Sequence, residues 1–83
     1  MDFYFKRAIG EEYAIIMTES NLAVCSVEDK SLGGSFRGNE KRRVLYEIAE
    51  KTGFEYNPRW NTHYFASKLV DFLLANELWK PNF

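Results

Sequence analysis

The side chains able to do chemistry in this chain are few and scattered. His63 is the sole histidine, so any catalytic dyad or histidine-based metal site would have to be built on it. It falls in the first turn of a sequence-predicted helix, after Arg59 and beside Tyr64. The positive end of a helix dipole there suits a neutral ring that hydrogen-bonds. Cys25 is the only cysteine, which excludes an internal disulfide and a cysteine cage for a metal, and its apolar strand context points to an inert, packed thiol. Carboxylates pair as Glu11-Glu12 and Glu28-Asp29, both in turns, with no rigid scaffold to drive one member of a pair toward the protonated form. No serine stands in a nucleophile-elbow pattern. The residues therefore predict a chain that is not an enzyme and carries no cofactor and no metal.

One segment invites an anion-binding reading. Residues 28–38 hold Gly33, Gly34 and Gly38 with the hydroxyls of Ser31 and Ser35, and Arg37 and a helix start follow closely. The Gly-Lys-Ser/Thr ending of a phosphate loop and the spaced glycines of a dinucleotide fingerprint are both missing. A plain connector is the reading that follows.

The elements that must position these residues are clearer than the chemistry. Eighty-three residues make one domain (residues 1–83), of a size at which folding buries only about 60% of the unfolded surface. Aromatic residues make up 17% of the chain, and such rings let a small core gather area without disulfides or metal. Residues 1–27 read as a three-stranded antiparallel meander. Phe3 and Phe5 alternate with polar neighbours, residues 10–12 turn, 13–18 resume, 19–21 turn again, and 22–27 close the sheet. Phe3, Phe5, Ile15, Met17, Leu22 and Val24 are expected on the covered face.

Two amphipathic helices follow. The first is predicted over residues 39–52, with Asn39 as its cap, a buried stripe of Val44, Leu45, Ile48 and Ala49, and Gly53 closing it. Tyr46 is expected at the edge of that stripe. Residues 53–60 form a connector in which Pro58 stops what precedes it, and Asn61 or Thr62 caps a second helix that runs to residue 78. Phe65, Ala66, Leu69, Val70, Phe72 and Leu73 form its apolar face, while Ser67, Lys68 and Asp71 point away. Leu74 and Leu78 add an extra apolar rib, which predicts burial on more than one side. Trp60 is expected to staple the start of this helix against Tyr64 or Phe65. The whole is an α+β fold, a three-stranded antiparallel meander with two amphipathic helices packed on one face.

Function classes narrow by exclusion. The net charge is −1, which argues against binding nucleic acid by bulk charge. Cysteine usage predicts a reducing, cytoplasmic setting. The N-terminus lacks the charge order of a secretory leader, and no stretch approaches the ~20 apolar residues of a membrane span. What remains is a non-catalytic module that works as a regulator, inhibitor or subunit by occupying the surface of a protein partner. Arg59, Trp60 and His63 at the connector and Trp79 and Phe83 in the tail (residues 79–83) are its expected anchors, with Tyr56 a further aromatic candidate. A homodimer through Leu74, Leu78 and the tail is one version of this idea, although folding back on the core is the simpler fate of the tail. The alternative partner is nucleic acid. Ile48-Ala49-Glu50-Lys51-Thr52-Gly53 resembles the positioning helix and turn of a helix-turn-helix over six residues, and Arg37, Lys41, Arg42 and Arg43 would meet phosphates.

Overall fold

The computed structural model describes residues 5–27 and 36–81. Strands β1 (Phe5–Ile9), β2 (Tyr13–Thr18) and β3 (Leu22–Ser26) form the antiparallel meander predicted above. Helices α1 (Gly38–Thr52) and α2 (Thr62–Ala75) follow, and a two-residue strand β4 (Lys80–Pro81) returns to pair with β1. The sheet order is β3-β2-β1-β4, so the meander gains a fourth strand that the sequence reading missed. The expected helix to residue 78 ends at Ala75 instead. Glu77 takes a left-handed φ of 55°, and Leu78 N–H donates to the Leu73 carbonyl at 2.9 Å, which turns the chain back toward β1.

Cross-strand register decides which strand residues face the helices. Met17 lies opposite Leu22 and Lys6, and Ile15 lies opposite Val24 and Ala8. Ala8, Ile15, Met17 and Val24 are buried, and Leu22 packs at the margin. Phe5 pairs with Thr18 in the backbone register of β1 and β2. Period-two alternation gives two rows without saying which is covered, and here Ala8 and the aliphatic stem of Lys6 occupy the row that meets α2. Phe3 lies outside the described residues.

The helices lie on one face of this sheet, as predicted. Val44, Leu45, Ile48 and Ala49 of α1 and Phe65, Ala66, Leu69, Val70 and Leu73 of α2 complete a core in which no polar side chain is buried among the described residues. Helix α2 touches β1, β2 and α1, which accounts for its broad apolar face. The α1 cap differs from expectation. Arg37 occupies the cap position without a side-chain bond, and Gly38 at φ 58° turns the chain into the helix, so Asn39 sits one position inside. At the other end Gly53 closes α1 in the left-handed conformation, as predicted.

The surplus of aromatic residues has a structural use in the connector between the helices. Phe65 stacks on Tyr56 at 5.0 Å and meets Tyr46, Phe54 and Trp60 at 5.2, 6.2 and 6.4 Å between ring centroids. Rings from α1, the connector and α2 thus form one aromatic cluster at the edge of the core. The connector, longer than the usual turn, is held to it by its half-buried rings Phe54, Tyr56 and Trp60.

Candidate functional site

The joint at residues 57–62 is organised by one arginine. The Asn57 side chain accepts the Arg59 N–H at 2.9 Å, and the Asn61 side chain caps α2 by accepting the Tyr64 N–H at 2.7 Å. Trp60 packs edge-on to Tyr64 at 5.2 Å and reaches Phe65, the staple expected from the sequence. Arg42 of α1 reaches across to hold the joint. Its Nε donates to the Tyr46 hydroxyl (2.7 Å), Nη1 to Thr62 Oγ1 (2.9 Å), and Nη2 to the carbonyls of Pro58 (2.9 Å) and Trp60 (2.6 Å). The guanidinium also lies over the rings of Tyr46 and Phe65.

The basic cluster of the nucleic-acid alternative is dispersed by this arrangement. Lys41 donates to the Leu22 carbonyl at 2.8 Å, covering part of the β3 edge, and Arg43 pairs with Glu40 and Glu47 at 3.4 and 3.3 Å. Arg42 faces inward to the connector. Arg37 and Arg59 are exposed.

His63 has a structural bond. Its Nε2 stands 3.0 Å from the Thr18 carbonyl, and a carbonyl only accepts, so Nε2 carries the proton. That carbonyl does not close the β2–β3 turn. The Asn21 N–H bonds the Thr18 hydroxyl instead, at 3.1 Å, and the imidazole pins the start of α2 to the turn. Cys25 sits on the sheet row away from the helices, opposite Ala14. Glu28, Asp29, Ser31, Gly33, Gly34, Ser35 and Phe83 lie outside the described residues. No group of three potential metal ligands occurs among the described residues.

One polar constellation was not foreseen. Lys6 Nζ donates to Ser67 Oγ at 2.9 Å and meets Asp71 Oδ1 at 2.7 Å, joining β1 to the outer side of α2. Ser67 and Asp71 lie off the buried stripe of α2, as expected, Asp71 exposed and Ser67 half-buried, and both meet this lysine. Serine beside lysine is a spacing used by some nucleophilic dyads. Here it borders neither of the molecule's two described clefts and works as a tie between elements.

Those clefts flank Trp79. One, of about 330 Å³, runs between Glu11, Glu12 and Tyr13 on the β1–β2 side and Ile48, Lys51 and Thr52 at the end of α1. The other, of about 530 Å³, lies between Ile9, Gly10 and Glu11 and the segment from Glu77 to Pro81. Leu78 and Trp79 line both. Trp79 is half-buried and packs against Gly10, where an added Cβ would stand 2.5 Å from the indole Nε1 and 2.7 Å from Cζ2. Leu78 is 48% exposed beside it. Lys51 and Glu12, both exposed at the smaller cleft, form a 2.8 Å ion pair, and the carboxylate holds the lysine above its ordinary pKa.

The expected anchors therefore fall into two groups at opposite ends of α2. Arg59, Trp60 and His63 gather at its start, Trp60 and His63 with their side chains engaged in packing and bonding and Arg59 exposed, and Trp79 lies beyond its far end, about 20 Å away at 1.5 Å per residue. Tyr56 is half-buried and stacks on Phe65. Gly10 and Glu77 were missed, because nothing in their local sequence tells of a ring or a cleft contributed from elsewhere. No helix among the described residues is long and apolar enough to cross a membrane. No family model matches the chain, and no curated protein and no solved structure matches it either.

Proposed function

We propose that this chain is a non-catalytic protein-binding module that occupies a partner's surface, as a regulator, inhibitor or subunit, through the face built by Leu78 and Trp79. The observation that carries this reading is an exposed leucine beside a seated tryptophan, between two clefts. Large apolar side chains flanked by concave surface and a polar rim are what interface centres are made of. The clefts are formed by the sheet, by the end of α1 and by the tail, so the surface is held by the fold itself. The chemically able residues support the same reading, since His63, Lys6, Ser67 and Asp71 join elements to one another.

The nucleic-acid alternative draws less support, because Lys41, Arg42 and Arg43 bond within the molecule. A salt titration against generic duplex DNA gauges it, a steep loss of affinity between about 50 and 200 mM salt being the expected mark of phosphate contacts.

The test of the protein-binding reading is affinity capture from cells that express the chain, using the wild type, Leu78→Asp and Tyr64→Asp in parallel. Tyr64 is exposed at the other end of α2 and serves as the control. At least one protein captured by the wild type and by Tyr64→Asp is expected to be lost with Leu78→Asp, with circular dichroism unchanged. If captured proteins are indifferent to Leu78, this face is not the interface.

A further inference from the structure

Both helices of this protein end in the same way, with different residues at the critical position. Phe54 N–H donates to Ala49 and Leu78 N–H to Leu73, each at 2.9 Å, and each bond is made possible by a left-handed residue just before the donor. After α1 that residue is Gly53, at φ 77°. After α2 it is Glu77, at φ 55°, which is strained for any residue with a Cβ. Glycine would satisfy the second cap as well as it does the first. A strained non-glycine at a surface turn points to a use for its side chain.

Glu77 lines the larger cleft, together with Glu11, which lines both clefts. Of the other charges there, Glu12 and Lys51 are paired with each other. Exposed Leu78 therefore has Glu11 and Glu77 beside it, with Lys80 as the one cationic side chain of the larger cleft.

We propose, resting on the protein-binding reading above, that the partner presents a basic segment: an apolar side chain seated against Leu78 and Trp79, with lysine or arginine on either side facing Glu77 and Glu11. The acids select the partner by charge, and the leucine and tryptophan supply the apolar contact.

Two synthetic peptides of about nine residues test this, each with a Leu-Phe centre, one flanked by lysines and the other by glutamates. They are titrated into the isotopically labelled full chain and followed by NMR. The lysine-flanked peptide is expected to shift the amides of Glu11, Glu77 and Leu78 and the Trp79 indole N–H saturably, and more weakly as salt rises from about 20 to about 300 mM. The glutamate-flanked peptide is expected to bind at least about threefold more weakly. Glu77→Gln, which keeps the backbone constraint and removes the charge, is expected to reduce that preference, and so is Glu77→Gly, which relieves the strain and leaves the fold at least as stable. Equal shifts by both peptides, or a preference unchanged in both Glu77 variants, overturn the basic-segment inference while leaving a binding face at Leu78. No shift at Leu78 or Trp79 with either peptide overturns the inference and counts against the face itself.

Discussion

Arg42 is the residue whose role differs most from what its neighbours in sequence suggest. In the run Lys41-Arg42-Arg43 it reads as one of three cations at the start of a helix, yet its guanidinium makes four hydrogen bonds to the connector, to α2 and to Tyr46. A planar fork can meet a hydroxyl on one edge and two carbonyls on another, which a lysine ammonium cannot. Arg42→Lys is accordingly expected to lower unfolding stability by about 2–4 kcal/mol in urea denaturation, since it leaves the Pro58 and Trp60 carbonyls short of a donor. Arg43→Lys, at an exposed pair one residue on, is expected to change stability by less than about 0.5 kcal/mol. Glu77 gives the opposite sign. Replacing it with glycine removes a left-handed strain and is expected to raise stability by about 1 kcal/mol in the same measurement. Neither outcome is legible in the sequence. Arg42 and Glu77 each look like ordinary charged surface residues, because what distinguishes them is a distant acceptor in one case and a backbone angle in the other.

At the scale of elements, the helices were legible to within a few residues and the end of the chain was not. Asn61 and Gly53 carry their capping chemistry locally, so the boundaries at residues 61 and 53 follow from side-chain type. The extension of α2 to residue 78 failed because Leu78 fits the helical period while a turn at residues 76–77 diverts the chain. Its tail then pairs Lys80 with Ile9 and Pro81 with Ala8 and lays Trp79 on Gly10. Gly10→Ala is expected to unseat that ring and to destabilise the protein by about 1–3 kcal/mol, with the Trp79 indole resonance shifting toward its solvent-exposed position in NMR spectra. If the indole resonance and the stability are both unchanged, the seat is not what holds the tail. The same seat and the β4 pairing tether the tail to β1, since termini are fixed only where something holds them.

For the whole molecule, a Cα radius of gyration of 11.9 Å matches the roughly 12 Å expected of one domain of this length. The pH dependence of its stability is predicted at the Lys51–Glu12 pair, which ties the end of α1 to the β1–β2 turn. Glu12 raises the lysine pKa above its ordinary 10.5 in the folded state, so the pair's contribution is complete below 10.5 and is lost as pH climbs through the raised value. The stability gap between the wild type and Lys51→Met is therefore expected to be constant from about pH 7 to 9 and to shrink above about pH 10.5. It should be small and salt-sensitive throughout, because the pair is solvated. The amino-acid sequence by itself determined the α+β class, the three-strand meander, the two helices on one face and the Trp60 staple, all of which rest on periodicity and capping within a few residues. Only the tertiary structure decided which row of β1 is covered, that Arg42 belongs to the connector, that β4 exists, and that Leu78, Trp79, Glu11 and Glu77 share one surface. Those depend on contacts between residues dozens of positions apart, and local pattern carries no record of them.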